Sequence, residues 1–327
     1  MELAFGSGIL NRMNPEQFRL LVPATAENFD ESGYLAANPD IAEAVKAGTV
    51  SSARTHFDAF NATESRPLRV PLPIEWKHRK LHRVRPLLGP DIPHRETLQL
   101  IDCLTDALRE EFSVIPTNNV SAHEYDPPTL ALLERHADGL VLDCGAGQRN
   151  TYYANVVNYE IVAYDSTDVL GVAERLPFKD ASFDAVVCMN VLEHVKDPFQ
   201  VARELMRVLK PGGELLCVAP LLQPLHGYPH HYFNMTHQGL LSLFEPMTEK
   251  RTEVYGAMHP IWALNWILAS YHAGLPHEQR GQFAAMTVAE LLASPSALEL
   301  ETIATTLSEA ARTELASAHA LSARKPN

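Results

Sequence analysis

Apolar positions in the first sixty residues recur with the spacing of short helices. Ile41 and Val45 lie four residues apart, which places them on the same face of a helix. A second helix is predicted over 51–60, with Phe60 turned inward. Together these features predict a small α-helical module over residues 14–66.

The next stretch, 67–96, is rich in proline and carries five Lys and Arg side chains between positions 77 and 85. Charge runs usually lie on solvated surfaces, so we interpret it as an exposed linker. A contact for an anionic partner is the alternative. After it, the stripe that contains Leu98 and Ile101 predicts an amphipathic helix over 95–111.

From residue 139 the pattern alternates between short apolar strands and helices, which indicates an α/β fold with a mainly parallel sheet. The predicted elements of this motif core (139–220) are strands at Leu140–Leu142, Glu160–Tyr164, Ala185–Met189 and Glu214–Ala219, and a helix over Pro198–Leu209.

Beyond the core, residues 221–315 are predicted to be mainly helical. Its most apolar part, 258–271, predicts a core or lid helix. Residues 250–254 and 318–326 are expected to be strands six and seven, so that the helices between them form an insertion near the C-terminus.

Composition narrows the functional classes. The 327 residues are 46% hydrophobic and carry a net charge of −13, which excludes a fibrous chain and argues against a nucleic-acid partner. The four cysteines are far apart, as expected in a reducing compartment. We see neither a secretory signal nor a transmembrane segment and expect a cytoplasmic protein.

Candidate chemistry begins where the first core strand ends, in the sequence DCGAGQRN that starts at Asp143. Glycines there allow a tight turn and let a ligand approach the backbone. Asp165, predicted to end the second strand, could accept both hydroxyls of a ribose. By itself this pattern also fits a nicotinamide-dependent oxidoreductase.

Four motifs in order, VLDCGAG, AERLPFKDASFDAVV, NVLEHV and LKPGGELLCVAP, resemble class I S-adenosylmethionine (SAM)-dependent methyltransferases of the type-11 group. Arg149 replaces the usual third glycine, as in a compact GxGxR branch of that group. The resemblance implies a Rossmann-like seven-stranded sheet with helices on both faces, a domain over 97–327, and SAM as cofactor. Within that domain, it implies that residues 221–315 form the acceptor-side and lid region. The module at 14–66 resembles helical modules found beside carbohydrate-related domains.

The resemblance also implies which residues contact SAM. The glycines would approach its amino-acid part, Asp165 the ribose, and the residues after the fourth strand the sulfonium. The implied cofactor-binding residues are Asp143, Gly145, Ala146, Gly147, Asp165, Ala173, Glu174, Asn190 and Val191.

Methyl transfer to a hydroxyl needs a base near the acceptor proton. The candidate catalytic residues are His194, His226 and His231; for His194, capping of the following helix is the alternative. We expect no metal site, because Asn190 stands where metal-binding relatives have the first carboxylate of ExxEH.

The predicted function is SAM-dependent methyl transfer to a hydroxyl of a sugar, glycan or other small molecule, in a pathway such as polysaccharide biosynthesis. The alternative is a non-catalytic methyltransferase-fold scaffold in a biosynthetic complex. The N-terminal module is a candidate surface for a protein partner.

Overall fold

The computed structural model describes residues 16–61, 63–115, 122–227, 229–321 and 324. The chain divides into two compact units, Met1–Val218 and Ala219–Asn327. Each unit is described by itself below.

The first unit begins with the predicted helical module, whose helices are confirmed. Asp30 and Ser52 cap two of them by accepting hydrogen bonds from the Gly33 and Thr55 amides. Phe60 was predicted to face inward, but it is 45% exposed because Tyr34, Phe57 and their neighbours already fill the module core. The elements are β1 Gln17–Arg19, β2 Leu21–Pro23, α1 Glu31–Ala37, α2 Pro39–Lys46, α3 Ala53–Phe60 and β3 Pro67–Arg69.

The stretch interpreted as an exposed linker is largely helical. Helix α4 spans Ile74–Val84 and a 3₁₀ turn follows at Arg85–Leu87. Lys77 and Lys80 lie on its inner face and are buried, so the prediction of a solvated connector is wrong for them. Both lysines pair with Asp168, which offsets the cost of burying their charge.

The helix predicted over 95–111 is wrong in its first half. Strands β4 Arg95–Glu96 and β5 Ile101–Asp102 occupy that half, and helix α5 covers only Asp106–Glu111. Ile101 is buried because β5 pairs in parallel with β9 (Val169–Leu170), whereas Leu98 is 63% exposed. Sheet pairing therefore overrides the local helical pattern.

The central sheet has seven strands and is parallel except for β4, which confirms the α/β fold class. Its strand order is β11-β10-β6-β8-β9-β5-β4. Because the chain winds outward from β6 in both directions, the carboxyl ends of β6 and β10 border a topological switch point, where α/β sheets bind ligands. The remaining elements of this unit are α6 Pro127–Arg135, β6 Val141–Cys144, β7 Thr151–Tyr153, β8 Val156–Glu160, β10 Phe183–Met189, α7 Pro198–Val208 and β11 Leu209–Val218.

Two predicted strands are wrong. Residues 250–254 form no strand; their side chains are exposed and Val254 is 70% accessible, so they offer nothing for a sheet to bury. The described part of 318–326 (318–321 and 324) forms none either, and the rest of that range lies outside the described residues. Strands β5 and β4, from the N-terminal side, complete the seven instead.

The second unit is helical wherever the structure assigns it secondary structure, and the helix predicted over 258–271 is confirmed as α9. Its core is small and gathers around Leu275, Phe283 and Ile303. No helix in the described ranges is long and apolar enough to cross a membrane. The helices are α8 His237–Leu243, a 3₁₀ turn at Gly256–Met258, α9 Pro260–Gly274, α10 His277–Ala285, α11 Val288–Leu291, α12 Pro295–Leu298, α13 Thr302–Thr305 and α14 Glu309–Glu314.

Candidate functional site

The glycine-rich loop follows β6 directly and depends on its glycines. Gly145 and Gly147 have φ angles of +78° and +63°, the left-handed region that favours glycine. A Cβ on Gly145 would lie 2.2 Å from Cγ2 of Val191. Val191 follows β10, so the loop packs directly against the end of the neighbouring strand. Asn190, with φ +54°, turns the chain between the end of β10 and Val191.

A half-buried carboxylate, that of Glu160, lies on the other side of the loop. Strand β8 ends at Glu160, so the strand predicted over 160–164 begins where the real one stops. The Gly147 N–H donates to Glu160 Oε2 at 2.8 Å, and the Ile161 N–H donates to Oε1 at 2.7 Å. Burial raises the pKa of Glu160. Sequence reasoning missed this residue, although the apolar run that precedes it is a signal for a strand ending there.

Asp165 lies in the loop that follows β8, not at a strand end. Both of its carboxylate oxygens accept hydrogen bonds from the guanidinium of Arg69, each at 2.6 Å. Asp165, the residue predicted to contact the ribose, is therefore already paired with Arg69. The loop from 161 to 168 contains no helix.

Asp143 and Arg149 form a buried pair at the glycine-rich loop. Arg149 donates to Asp143 Oδ2 from Nε at 3.0 Å and from Nη2 at 2.7 Å, and the Tyr125 hydroxyl donates to the same oxygen at 2.5 Å. The guanidinium also lies over the Tyr125 ring, 4.1 Å from its centroid. Arg149, the departure from the usual third glycine, thus neutralises the aspartate that begins the loop.

Two further predicted cofactor-binding residues, Ala173 and Glu174, lie in the turn after β9. Ala173 and Glu174 are buried, and the carbonyl of Val172 accepts a hydrogen bond from the Tyr159 hydroxyl at 2.8 Å. Glu174 Oε1 accepts from the Lys196 amide at 3.2 Å, and burial raises the pKa of that carboxyl.

The structure places the predicted cofactor residues on elements that share one edge of the sheet. They follow β6, β9 and β10, three parallel strands whose carboxyl ends meet at the same edge. This edge is lined by Gly145, Ala146, Gly147, Ala173, Glu174, Asn190 and Val191, with Asp143 at the end of β6, Glu160 at the end of β8 and Asp165 in the loop beyond it.

His194 also belongs to the first unit. Its amide N–H donates to the Val191 carbonyl at 2.9 Å. The cap of α7 is Asp197, whose side chain accepts from the Gln200 amide, so the alternative that His194 caps this helix is wrong. The adjacent carboxyl of Glu193 is fully buried, and burial raises its pKa to about 8.

His226 and His231 are brought together in the second unit. The His226 backbone N–H donates to His231 Nδ1 at 3.2 Å, and the two rings meet edge to face at 4.5 Å. Because Nδ1 of His231 is an acceptor, its Nε2 carries the proton and donates to Asn234 Oδ1 at 2.9 Å. Both ring nitrogens of His231 therefore make hydrogen bonds within the segment 226–234.

His226 has the opposite tautomer. Its Nδ1 faces the Pro224 carbonyl at 2.9 Å, so that nitrogen carries the proton and donates. Burial lowers the pKa of His226, with a smaller contribution from His231 in the same direction. Burial therefore favours the neutral imidazole of His226.

Comparison with known proteins agrees with this geometry. Residues 140–217 match the family model described as "Methyltransferase domain". This stretch is similar to methyltransferase domains. It runs from the residue before β6 to the last but one residue of β11, so it contains the glycine-rich loop, Glu160 and the turn after β10.

Two curated relatives match the chain in part. An uncharacterised protein of Methanocaldococcus jannaschii is 38% identical over 27% of this chain and 44% of its own length. A ubiquinone biosynthesis O-methyltransferase of Idiomarina loihiensis is 29% identical over 28% of this chain and 49% of its own length. The chain thus spans less than half of either relative. The domain match and the second relative support a SAM-dependent methyltransferase.

A solved structure described as a SAM-dependent methyltransferase, possible histamine N-methyltransferase, from Thermotoga maritima is 22% identical to this chain. The match covers 33% of this chain and 62% of that one, with a TM-score of 0.27. A score of this size adds nothing to the architecture described above.

Proposed function

We propose that the chain binds SAM at the carboxyl edge of β6, β8 and β10 and transfers its methyl group to a hydroxyl of a small molecule, sugar or glycan. The observation that carries the cofactor assignment is the glycine-rich loop, held between Val191 and the carboxylate of Glu160. Its positive-φ glycines leave backbone groups bare for the amino-acid part of SAM.

Glu160 is the proposed ribose acceptor in place of Asp165. A carboxylate at the end of the second core strand, next to the glycine-rich loop, is suited to accept two hydroxyl hydrogens. Backbone N–H groups of Gly147, Ile161 and Val162 orient the carboxylate beside the glycine-rich loop. The turn at Ala173 and Glu174 is the proposed adenine contact, and Asn190 with Val191 the proposed floor beneath the sulfonium.

Methyl transfer is a displacement in which the acceptor oxygen attacks the methyl carbon and the carbon–sulfur bond breaks. S-adenosylhomocysteine leaves, and the acceptor proton goes to a base. His226 is the proposed base because it lies in the segment that resembles the acceptor side of these methyltransferases. His231 positions the segment. A hydroxyl as acceptor atom, and a carbohydrate as acceptor, follow from the resemblance of both halves to carbohydrate-associated proteins.

Calorimetric titration of the full chain with SAM tests the cofactor assignment. Hydrogen bonds to a charged group contribute about 1.5–3 kcal/mol each, so Glu160→Gln is expected to weaken SAM binding by at least about tenfold. Glu214→Gln is the matched control. Glu214 lies on the outer strand β11 and pairs with Arg135, and neither residue belongs to the proposed site. Wild-type chain that binds no SAM would reject the proposal and favour the scaffold alternative.

A further inference from the structure

We propose that Arg69 is a positioning residue of the cofactor site, through which the N-terminal module holds the glycine-rich loop in its binding conformation. This inference rests on the proposed function, because it assigns Arg69 a part in SAM binding. Arg69 lies on β3, outside the stretch that matches the methyltransferase family.

The guanidinium of Arg69 joins two loops of the proposed site. Besides its two hydrogen bonds to Asp165, it donates from Nη1 to Asn150 Oδ1 at 3.1 Å and from Nη2 to the Arg149 carbonyl at 3.0 Å. Arg149 and Asn150 follow Gly147 within three residues. A single side chain therefore links the end of the glycine-rich loop to the loop after β8.

This link is geometrically specific. Arg69 is 9% exposed and its guanidinium is enclosed by the two loops, while Asp165 reaches it from the exposed side. A planar guanidinium can hold a carboxylate with two donors and still reach two further acceptors, which a lysine ammonium on a flexible stem cannot match.

The main chain of Arg69 is fixed on the N-terminal module. It pairs with Leu21 between β3 and β2, and α1 packs so closely that a Cβ on Gly33 would lie 2.2 Å from the Arg69 carbonyl oxygen. The module also touches the loop directly, because the Leu20 amide donates to the Asn150 carbonyl at 2.8 Å. The module thus holds both Arg69 and the glycine-rich loop of the proposed cofactor site in place.

Contacts that hold the loop in its binding conformation before SAM arrives raise the affinity for SAM, because less order has to be gained on binding. If the loop adopts its binding conformation in one-tenth of the molecules once Arg69 is removed, the apparent dissociation constant rises about tenfold. Ligand binding should then restore the loop, because the ligand selects the ordered state.

The test compares Arg69→Met with Arg66→Met in the full chain. Arg66 belongs to the same module and pairs with Asp40 and Glu64, within that module. Calorimetry with SAM should give a dissociation constant about tenfold higher for Arg69→Met and unchanged for Arg66→Met. Arg69→Lys should not restore the affinity.

Hydrogen exchange separates positioning from general destabilisation. In Arg69→Met, amides at 145–150 should exchange faster while those of β10 and α7 stay protected, and saturating S-adenosylhomocysteine should restore the loop. Should Arg69→Met fail to fold, Asn150→Ala carries the test, with weaker SAM binding expected.

The outcomes distinguish this inference from the proposed function. Wild-type chain that does not bind SAM overturns both. Equal SAM affinity and equal loop exchange in wild type, Arg69→Met and Asn150→Ala overturn the role of Arg69 and leave the proposed function intact.

Discussion

The two units of the chain achieve order by different means. In the first, buried cations pair with carboxylates distant in sequence: Lys77 and Lys80 contact the buried Asp168, and Arg69 contacts Asp165. The second has a small apolar core and leaves Ile261, Trp262 and Leu264 of α9 more than half exposed. Directional contacts thus fix the loops of the proposed cofactor site, whereas non-directional packing holds the helices of the second unit.

The largest expected effect comes from removing the shared anion of the first unit. Asp168 is fully buried and accepts from Lys77, Lys80, Tyr152 and the Asn158 amide. Asp168→Ala leaves two buried cations without their counter-charge and is expected to lower the free energy of unfolding by about 3–5 kcal/mol. Urea unfolding measures it.

The control for that variant is Asp58→Ala, which removes an exposed ion pair with Arg54 on one helix. Exposed pairs contribute little, so a small change is expected. Similar losses in the two variants would contradict the idea that buried charge organises the first unit.

Gly145→Ala probes the glycine-rich loop. The new Cβ would overlap Val191, and φ is positive there, so we expect a loss of about 1–3 kcal/mol of stability together with loss of SAM binding. Gly281→Ala in α10 is the control from the second unit. A Cβ there meets no atom within 4 Å, so it should stabilise the helix by about 0.5–1 kcal/mol. Chemical denaturation and SAM titration measure both variants; tight SAM binding by Gly145→Ala would refute the proposed loop.

The local pattern of apolar and polar residues was sufficient to predict those helices and strands whose formation depends on residues close in sequence. The buried face of α7, with Val201, Leu205 and Val208, and the parallel strands β6 and β10 follow from periodicity and are confirmed. The second core strand was placed four residues too late, because Glu160 and Asp165 are both acidic and the loop between them is itself partly apolar.

Contacts across long stretches of sequence could not be predicted. Arg69 and Asp165 are 96 residues apart, and Lys80 and Asp168 are 88 apart. In the sequence these cations form a basic, proline-rich run that is typical of a linker. The edge strands β4 and β5 were missed for a similar reason, since only pairing with β9 makes Ile101 part of a strand. For the site, sequence reasoning predicted the glycines and missed Glu160 and Arg69.

Lys80 gives the first unit a specific dependence on pH. Burial lowers its pKa from 10.5 to about 7, against the opposing effect of Asp168. Between these values the unfolded chain binds more protons than the folded chain, so the free energy of unfolding should rise as the pH rises from 7 towards 10.

Lys80→Met should remove that rise, because the group that titrates in this range is gone. Exposed Lys46→Met should preserve the wild-type dependence. Thermal unfolding at several pH values measures both. An unchanged pH profile in Lys80→Met would show that the ammonium is not the titrating group.

The smallest effect is expected on α9. Trp262 is 60% exposed, so Trp262→Ala should change the free energy of unfolding by no more than about 0.5 kcal/mol. Phe57→Ala, in the buried core of the module, should cost about 3–5 kcal/mol. Denaturant unfolding of the two variants compares the regions directly, and equal losses would remove the contrast between them.

Hydrogen exchange of the full chain with and without S-adenosylhomocysteine tests the central claim most directly, because it locates the ligand. The account predicts protection at 145–150, at 160–165 and at the turn around Ala173, with the amides of α10 and α13 unchanged. Absence of protection at the glycine-rich loop, or protection confined to residues beyond 219, would contradict it.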